Sequence, residues 1–283
     1  MKKILIVMMI VAISVSAFAG QKWPEKITFG VIPTAAQSSM KDVFGPLVDS
    51  LEKELGIDVE LKTANDYAAV ITGMQFGHID CAYFGPKSYV EAAKRAGAEA
   101  LALELSQDGS KGYYGYIITK KGSGLKTLED IKGKKWAFTD PNSTSGTLVP
   151  TVMFAKKNID PKKYFGRVIY SGSHEASILS VKNGKVDAAS TNDLDFLRGL
   201  GKHWTNDDFN IIWKSDLIPS APMVCNKNMP SSFKMAMKGA LISFDDPDGL
   251  NKLKISGYAP VSDKLYDSIR ELIAIKKKLK AKK

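Results

Sequence analysis

The sequence predicts an α/β fold built on mainly parallel sheets, and two patterns carry that reading. Short apolar runs alternate with stretches whose apolar residues recur at helical spacing, from residue 27 to the C-terminus. Parallel strands need such helical connections between them. The second pattern is positional. Polar clusters recur just after the apolar runs, at Asn65-Asp66-Tyr67, Tyr83, Ser143-Thr144-Ser145, Ser173-His174 and Asn192-Asp193. In open α/β sheets ligands bind beyond the carboxyl ends of the strands, so converging ends of this kind form one polar cleft.

Taken in order, residues 27–32 form a short strand ended by Pro33. Ser38 or Ser39 caps a helix whose face is Val43, Phe44, Leu47, Val48, Leu51 and Leu55, and Gly56 stops it. Residues 59–63 alternate as a strand, and Asn65-Asp66 opens a helix carrying Tyr67, Val70, Ile71 and Met74. A strand at 79–84, closed by Gly85-Pro86, precedes a helix through Tyr89, Val90 and Ala93. A second unit repeats the scheme, with strands at 114–119, 135–139, 167–170, 186–191, 209–213 and 221–225. Its helices are a short one at 128–131 and others beginning after Ser143-Thr144-Ser145, at Ser173-His174-Glu175 and at Asn192-Asp193. Helices at 232–244 and 264–280 close the chain, and no low-complexity linker interrupts it.

The first nineteen residues read as a secretory signal: Lys2 and Lys3, an apolar core from Ile4 to Ile13, and Ala17-Phe18-Ala19 as the cleavage site. The core is too short to span a membrane. The net charge is +10, and six of the lysines behind it lie within residues 276–283, a solvated helix end. Nucleic-acid binding is a poor fit for an exported chain without a basic-aromatic motif. Cys81 and Cys225 are the only cysteines, both in apolar surroundings, and are expected as buried free thiols. The three histidines, His78, His174 and His203, show no ligand spacing, so no metal site and no cofactor is expected.

The strand at 135–139 hands over to a helix through Asp140-Pro141-Asn142-Ser143-Thr144-Ser145-Gly146. The first amides of a helix lack acceptors and carry partial positive charge, so such a turn holds an anion. Three hydroxyls add donors, and Gly146 is expected to leave room for the ligand's approach. Ordinary capping accounts for the same residues. Both readings stand at this point, as they do for Ser173-His174.

With those residues in view, the chain resembles the phosphate/phosphite/phosphonate-binding proteins of bacterial ABC transporters. Asp140-Pro141-Asn142-Ser143-Thr144-Ser145-Gly146 and Pro150 carry the likeness most specifically. Asn65-Asp66-Tyr67, residues 80–86 with Tyr89, Ser173-His174 and Val186-Asp187-Ala188 support it. The resemblance implies a two-lobed periplasmic binding protein (type II-like), with lobe 1 at 24–114 and 223–283, lobe 2 at 115–222, and two crossings forming a hinge. It implies that Ser143, Thr144 and Ser145 hold the ligand's oxygens, that His174 donates to them, and that Tyr67 faces them. Tyr113 or Tyr114 supplies a second aromatic residue, and Asn192-Asp193 the distal end. It also implies a monomeric partner of a permease and ATPase complex in the periplasm, and not an enzyme.

Two competing readings are weaker. A serine hydrolase using Ser143 or Ser145 with His174 lacks the G-x-S-x-G elbow, since Thr144-Ser145-Gly146 has no leading glycine. An amino-acid binder normally offers an arginine, and Arg95, Arg167, Arg198 and Arg270 all lie outside the strand-end clusters. A sulfonate or sulfate remains compatible with neutral donors. Asp193 is the only acid in the two segments expected to hold a ligand ammonium, beside Asn192 and opposite Ser220-Ala221. A small non-amino phosphorus oxyanion is therefore the expected ligand.

Overall fold

The computed structural model describes residues 21–281, so the secretory-signal reading falls outside the described residues. The chain begins with β1 (Lys26–Val31), α1 (Gln37–Leu55), β2 (Asp58–Thr63), α2 (Tyr67–Gln75), β3 (Cys81–Tyr83), α3 (Pro86–Ala96) and β4 (Ala98–Ser106). It continues through β5 (Gly112–Lys120), β6 (Lys135–Phe138), α4 (Val149–Lys156), α5 (Pro161–Tyr164) and β7 (Arg167–Tyr170). Next come α6 (His174–Lys182), β8 (Ala188–Asn192), α7 (Asp193–Gly199) and β9 (Phe209–Pro219). The last elements are β10 (Pro222–Asn226), α8 (Ser231–Ile242), α9 (Pro247–Leu253), β11 (Ile255–Pro260) and α10 (Asp267–Ala281).

Two sheets result, and each belongs to one lobe. The first has the order β2-β1-β3-β10-β4-β11 and the second β7-β6-β8-β5-β9. In the first sheet β1 pairs in parallel with β2 and β3, while β10 lies antiparallel between β3 and β4. The second sheet repeats this plan, with β6 parallel to β7 and β8, and β5 antiparallel between β8 and β9. The sheets are thus mixed rather than simply parallel. In each sheet one antiparallel strand, β10 or β5, arrives directly from the other lobe; the first sheet adds a second, β11, at its edge against β4. The chain leaves the first sheet after Ser106 and returns to it after Pro219.

The helices follow the sequence periodicity. α1 buries Met40, Phe44, Leu47, Val48, Leu51 and Leu55, and ends at Gly56, whose φ of 64° lets its N–H reach Glu52 O. Burying each such large side chain contributes about 1.5–3 kcal/mol. In the second lobe, Trp136 stacks on Phe165 at 4.8 Å on one side of the sheet, while Ile118, Ala137 and Phe196 pack on the other. Leu148 and Val152 of the second lobe join the first lobe's core, so the lobes are in apolar contact.

Several expectations need correction. β4, α5, α9 and β11 are absent from the sequence reading. The expected helix at 128–131 is a series of turns. Cys81 and Cys225 are not free thiols: they face each other across the β3–β10 ladder and form a disulfide. The sequence places them 144 residues apart, and only the insertion of β10 beside β3 brings them into register.

Candidate ligand-binding site

The site is built around the turn that follows β6. Ser143 stands in extended conformation, and its Oγ accepts the Gly146 N–H at 3.0 Å. Residues Thr144–Leu148 close as a single π turn, with Leu148 N donating to Ser143 O at 3.1 Å, before α4 continues. Such single π turns recur at functional sites. The amides of Thr144 and Ser145 precede the first intrahelical donors, so they have no acceptor within the turn. A Cβ at Gly146 would lie 2.1 Å from Thr139 Oγ1 and 2.4 Å from Thr139 Cβ. Gly146 is therefore set by packing against the end of β6, and not by the ligand's approach as the sequence suggested.

His174 and Asn192 line the same cavity from neighbouring strand ends. Ser173 caps α6 by accepting the Ala176 N–H at 3.0 Å, which leaves His174 at the first helical position. His174 Nε2 lies 3.3 Å from Ser143 Oγ, and Nδ1 lies 3.2 Å from Thr191 Oγ1. Burial holds the His174 pKa below its ordinary value, although Asp195 pulls the other way. The ring therefore favours its neutral form, with one N–H to donate. Asn192 Oδ1 caps α7 by accepting Asp195 N–H at 2.7 Å, and its Nδ2 donates to Ser145 Oγ at 3.4 Å.

Tyr67 supplies the facing wall, and Tyr113, near the start of β5, lines the cavity beside the crossing. Tyr67 opens α2, behind the Asp66 carboxylate that accepts Ala69 N–H at 2.7 Å. The Tyr113 hydroxyl lies near Ser145 and Thr144, and burial pushes its pKa up. The double tyrosine is resolved by strand alternation. Tyr114 points away, with Lys214 Nζ 3.5 Å above its ring. The cavity between these groups is narrow, about 30 Å³, room for roughly two waters.

Asp193 does not line that cavity; its Oδ1 accepts the N–H groups of Tyr114 (3.0 Å) and Leu194 (2.9 Å). The acids that do line it are Glu104 and Asp195, and the sequence reading missed both. Arg198, set aside there as remote, joins them: its Nη1 lies 3.0 Å from Asp195 Oδ1 and its Nη2 3.2 Å from Glu104 Oε1. Tyr83 donates to Glu104 Oε2 at 3.2 Å. Burial pushes the Glu104 carboxyl up to about 7, against the pull of Arg198. Burial opposes ionisation of Asp195 as well, but the Arg198 guanidinium and the Asn192 amide hold it below its ordinary value. Asp195 and Arg198 follow Asn192 at helical spacing, a signal that could have found them. Glu104 was hidden because β4 was.

The lobes meet around this cavity. Lys87 N–H donates to Thr144 Oγ1 at 2.9 Å, and Lys87 Nζ to Asn142 Oδ1 at 2.8 Å. Glu175 N–H donates to Thr34 O at 3.0 Å. Because the Thr144 oxygen already accepts from Lys87, its own hydrogen is free for an anion. The arrangement does not make a hydrolase: the third group, at His174 Nδ1, is the Thr191 hydroxyl and not a carboxylate.

Comparison with known proteins assigns the architecture. Residues 29–266 match the family model described as ABC transporter, phosphonate, periplasmic substrate-binding protein. The chain belongs to this family. It is 36% identical over 261 residues to the phosphonates-binding periplasmic protein of Escherichia coli K12, covering 88% of this chain and 76% of that one. It is 30% identical over 275 residues to the phosphate-import protein PhnD of Mycolicibacterium smegmatis, covering 88% and 85%. A crystal structure of the binding protein component of an ABC phosphonate transporter from Pseudomonas aeruginosa superposes with a TM-score of 0.85 at 32% identity, covering 92% of this chain and 88% of that one. Members of this family are substrate-binding components of importers, not enzymes.

Proposed function

We propose that this family member captures a small phosphorus oxyanion (phosphate, phosphite, methylphosphonate or a related phosphonate) in the cavity between its lobes and delivers it to an ABC permease and its ATPase. The observation that carries this is the convergence of Ser143, Thr144 and His174 from one lobe on Tyr67 from the other, with Tyr113 beside the crossing; Ser145 stands just behind this lining, against Asn192 and Tyr113. An anion with several oxygens needs many aligned donors, and hydrogen bonds to charged groups contribute about 1.5–3 kcal/mol each. Helix and turn amides add to them. The family's relatives, one named for phosphonates and one for phosphate, support the class. The narrow cavity favours a compact ligand.

The acids refine the choice. Asp195, held ionised at the cavity wall, supplies an acceptor for a P–OH hydrogen, which sulfate lacks near neutral pH. It and Glu104 are already engaged by Arg198, so a ligand ammonium must compete with a guanidinium for both. A non-amino oxyanion is the better fit. In this reading the hinge is the connections 107–111 and 220–221, the first lying before the expected boundary at 114/115 because β5 already begins at Gly112; the protein acts as a monomer, and residues 1–19 are removed after Ala19 on export to the periplasm. Calorimetric titration of ligand-stripped protein tests the assignment: saturable one-to-one uptake of phosphate, phosphite or methylphosphonate is expected, and no uptake of any of them overturns it.

A further inference from the structure

We infer that Arg198 is the closure clamp of this protein, a positioning residue that fastens the two lobes behind the ligand and anchors the donors that meet it. The inference rests on the binding reading above for its ligand, but its geometry stands apart from which anion binds.

Arg198 projects from α7 of the second lobe, with 9% of its side chain exposed. Its own lobe supplies one partner, Asp195 Oδ1 at 3.0 Å. The others come from across the cleft: Glu104 Oε1 of β4 at 3.2 Å from Nη2, and the Leu253 carbonyl of α9 at 3.1 Å from Nε. A buried guanidinium is costly unless its donors are met. Separating the lobes removes two of these partners together, so the full set exists only when the lobes are shut. The planar fork is what allows one side chain to reach three acceptors in fixed directions.

The clamp also leads into the binding turn. Asp195 uses its other oxygen to accept Asn192 Nδ2 at 2.8 Å, and that oxygen lies 3.9 Å from His174 Nε2. Asn192 reaches Ser145 Oγ at 3.4 Å, and His174 reaches Ser143 Oγ at 3.3 Å. A continuous polar path therefore runs from Glu104 in one lobe through Arg198 and Asp195 to the serine turn in the other. By fixing Asp195, Arg198 holds the Asn192 amide against Ser145 and a carboxylate beside the His174 ring.

The test uses native cross-lobe chemistry. Lys202 Nζ lies 3.9 Å from Asp42 Oδ2 across the cleft, while Lys252 Nζ lies 3.1 Å from Asp42 Oδ1 within the first lobe. A zero-length carbodiimide coupling, read by peptide mass spectrometry, gives the ratio of the two links and hence the closed fraction. Arg198→Gln is expected to lower that ratio at least threefold with or without added phosphate, and Arg198→Lys to recover part of it. Phosphate and methylphosphonate titrations of Arg198→Gln, Glu104→Gln and the double variant add a second readout. Each single change is expected to weaken binding at least tenfold, and the double to lose no more than about the larger single loss. An unchanged link ratio in a folded Arg198→Gln protein, or losses that multiply in the double variant, overturns the clamp. A lowered ratio in a protein whose wild type binds neither anion nor any other phosphorus oxyanion overturns the ligand reading and leaves the clamp standing.

Discussion

Ser143, Thr144 and Ser145 differ in what already occupies their oxygens, and that decides how each can serve an anion. Ser143 Oγ accepts Gly146 N–H and faces His174, so it is partly a cap. Thr144 and Ser145 keep a hydrogen to donate. Thr144→Ala or Ser145→Ala should each weaken phosphate or methylphosphonate binding by about 1–3 kcal/mol, measured by calorimetry; unchanged affinity in both would return the turn to capping alone. Tyr113→Phe should weaken binding while Tyr114→Phe leaves it alone, since only Tyr113 faces the cavity. The sequence made the hydroxyl cluster legible because Ser, Thr, Asp and Asn mark strand-to-helix turns. It left the two tyrosines equivalent, because alternation assigns faces only once the strand's register is known. Asp193 was open in a different way: a carboxylate at a helix start can look into the cleft or back onto amides, and here it accepts from the amides of Tyr114 and Leu194.

At the scale of the elements, β4 shows most clearly why part of the site stayed hidden. Its sequence, Ala98-Glu99-Ala100-Leu101-Ala102-Leu103-Glu104-Leu105-Ser106, is rich in strong helix formers. It becomes a strand because β10 and β11 pair on both its sides. Tertiary pairing overrides local propensity, and Glu104 enters the cavity as a result. Its pH behaviour gives a test. Glu104 is raised from 4.5 to about 7 by burial, so the folded protein keeps that proton where the unfolded chain has lost it. Its contribution to stability therefore falls as pH rises from about 4.5 to about 7. Denaturant melts at pH 5 and pH 8 should show Glu104→Gln gaining stability relative to wild type at the higher pH; a constant difference would contradict the assignment. The disulfide is a second property of elements rather than residues. It joins β3 to β10, closing the first sheet across the whole second lobe. Replacing both Cys81 and Cys225 by Ala should cost about 2–5 kcal/mol in denaturant melts, and an unchanged midpoint would mean that the ladder alone holds these strands.

For the whole molecule, the internal repeat is the organising fact. Five strands of the first sheet, β2-β1-β3-β10-β4, follow the same plan as the five of the second, with β11 added at the first sheet's edge, and each plan takes its central antiparallel strand from beside the crossing. The sequence showed the shared strand–helix pattern but not this exchange, since no local signal states which strand pairs with which. The exchange places both crossings beside the cavity, so in the proposed reading closure and ligand contact occur at one place. Saturating ligand should compact the protein, visible as a smaller radius of gyration in solution scattering. Identical curves with and without ligand would argue against hinge closure. The most direct test of the central claim is a calorimetric panel of phosphate, phosphite, methylphosphonate, aminoethylphosphonate and sulfate on ligand-stripped protein. Phosphate, phosphite or methylphosphonate is predicted to bind most tightly, ahead of both aminoethylphosphonate and sulfate. A tenfold preference for aminoethylphosphonate or sulfate, about 1.4 kcal/mol, would contradict the account.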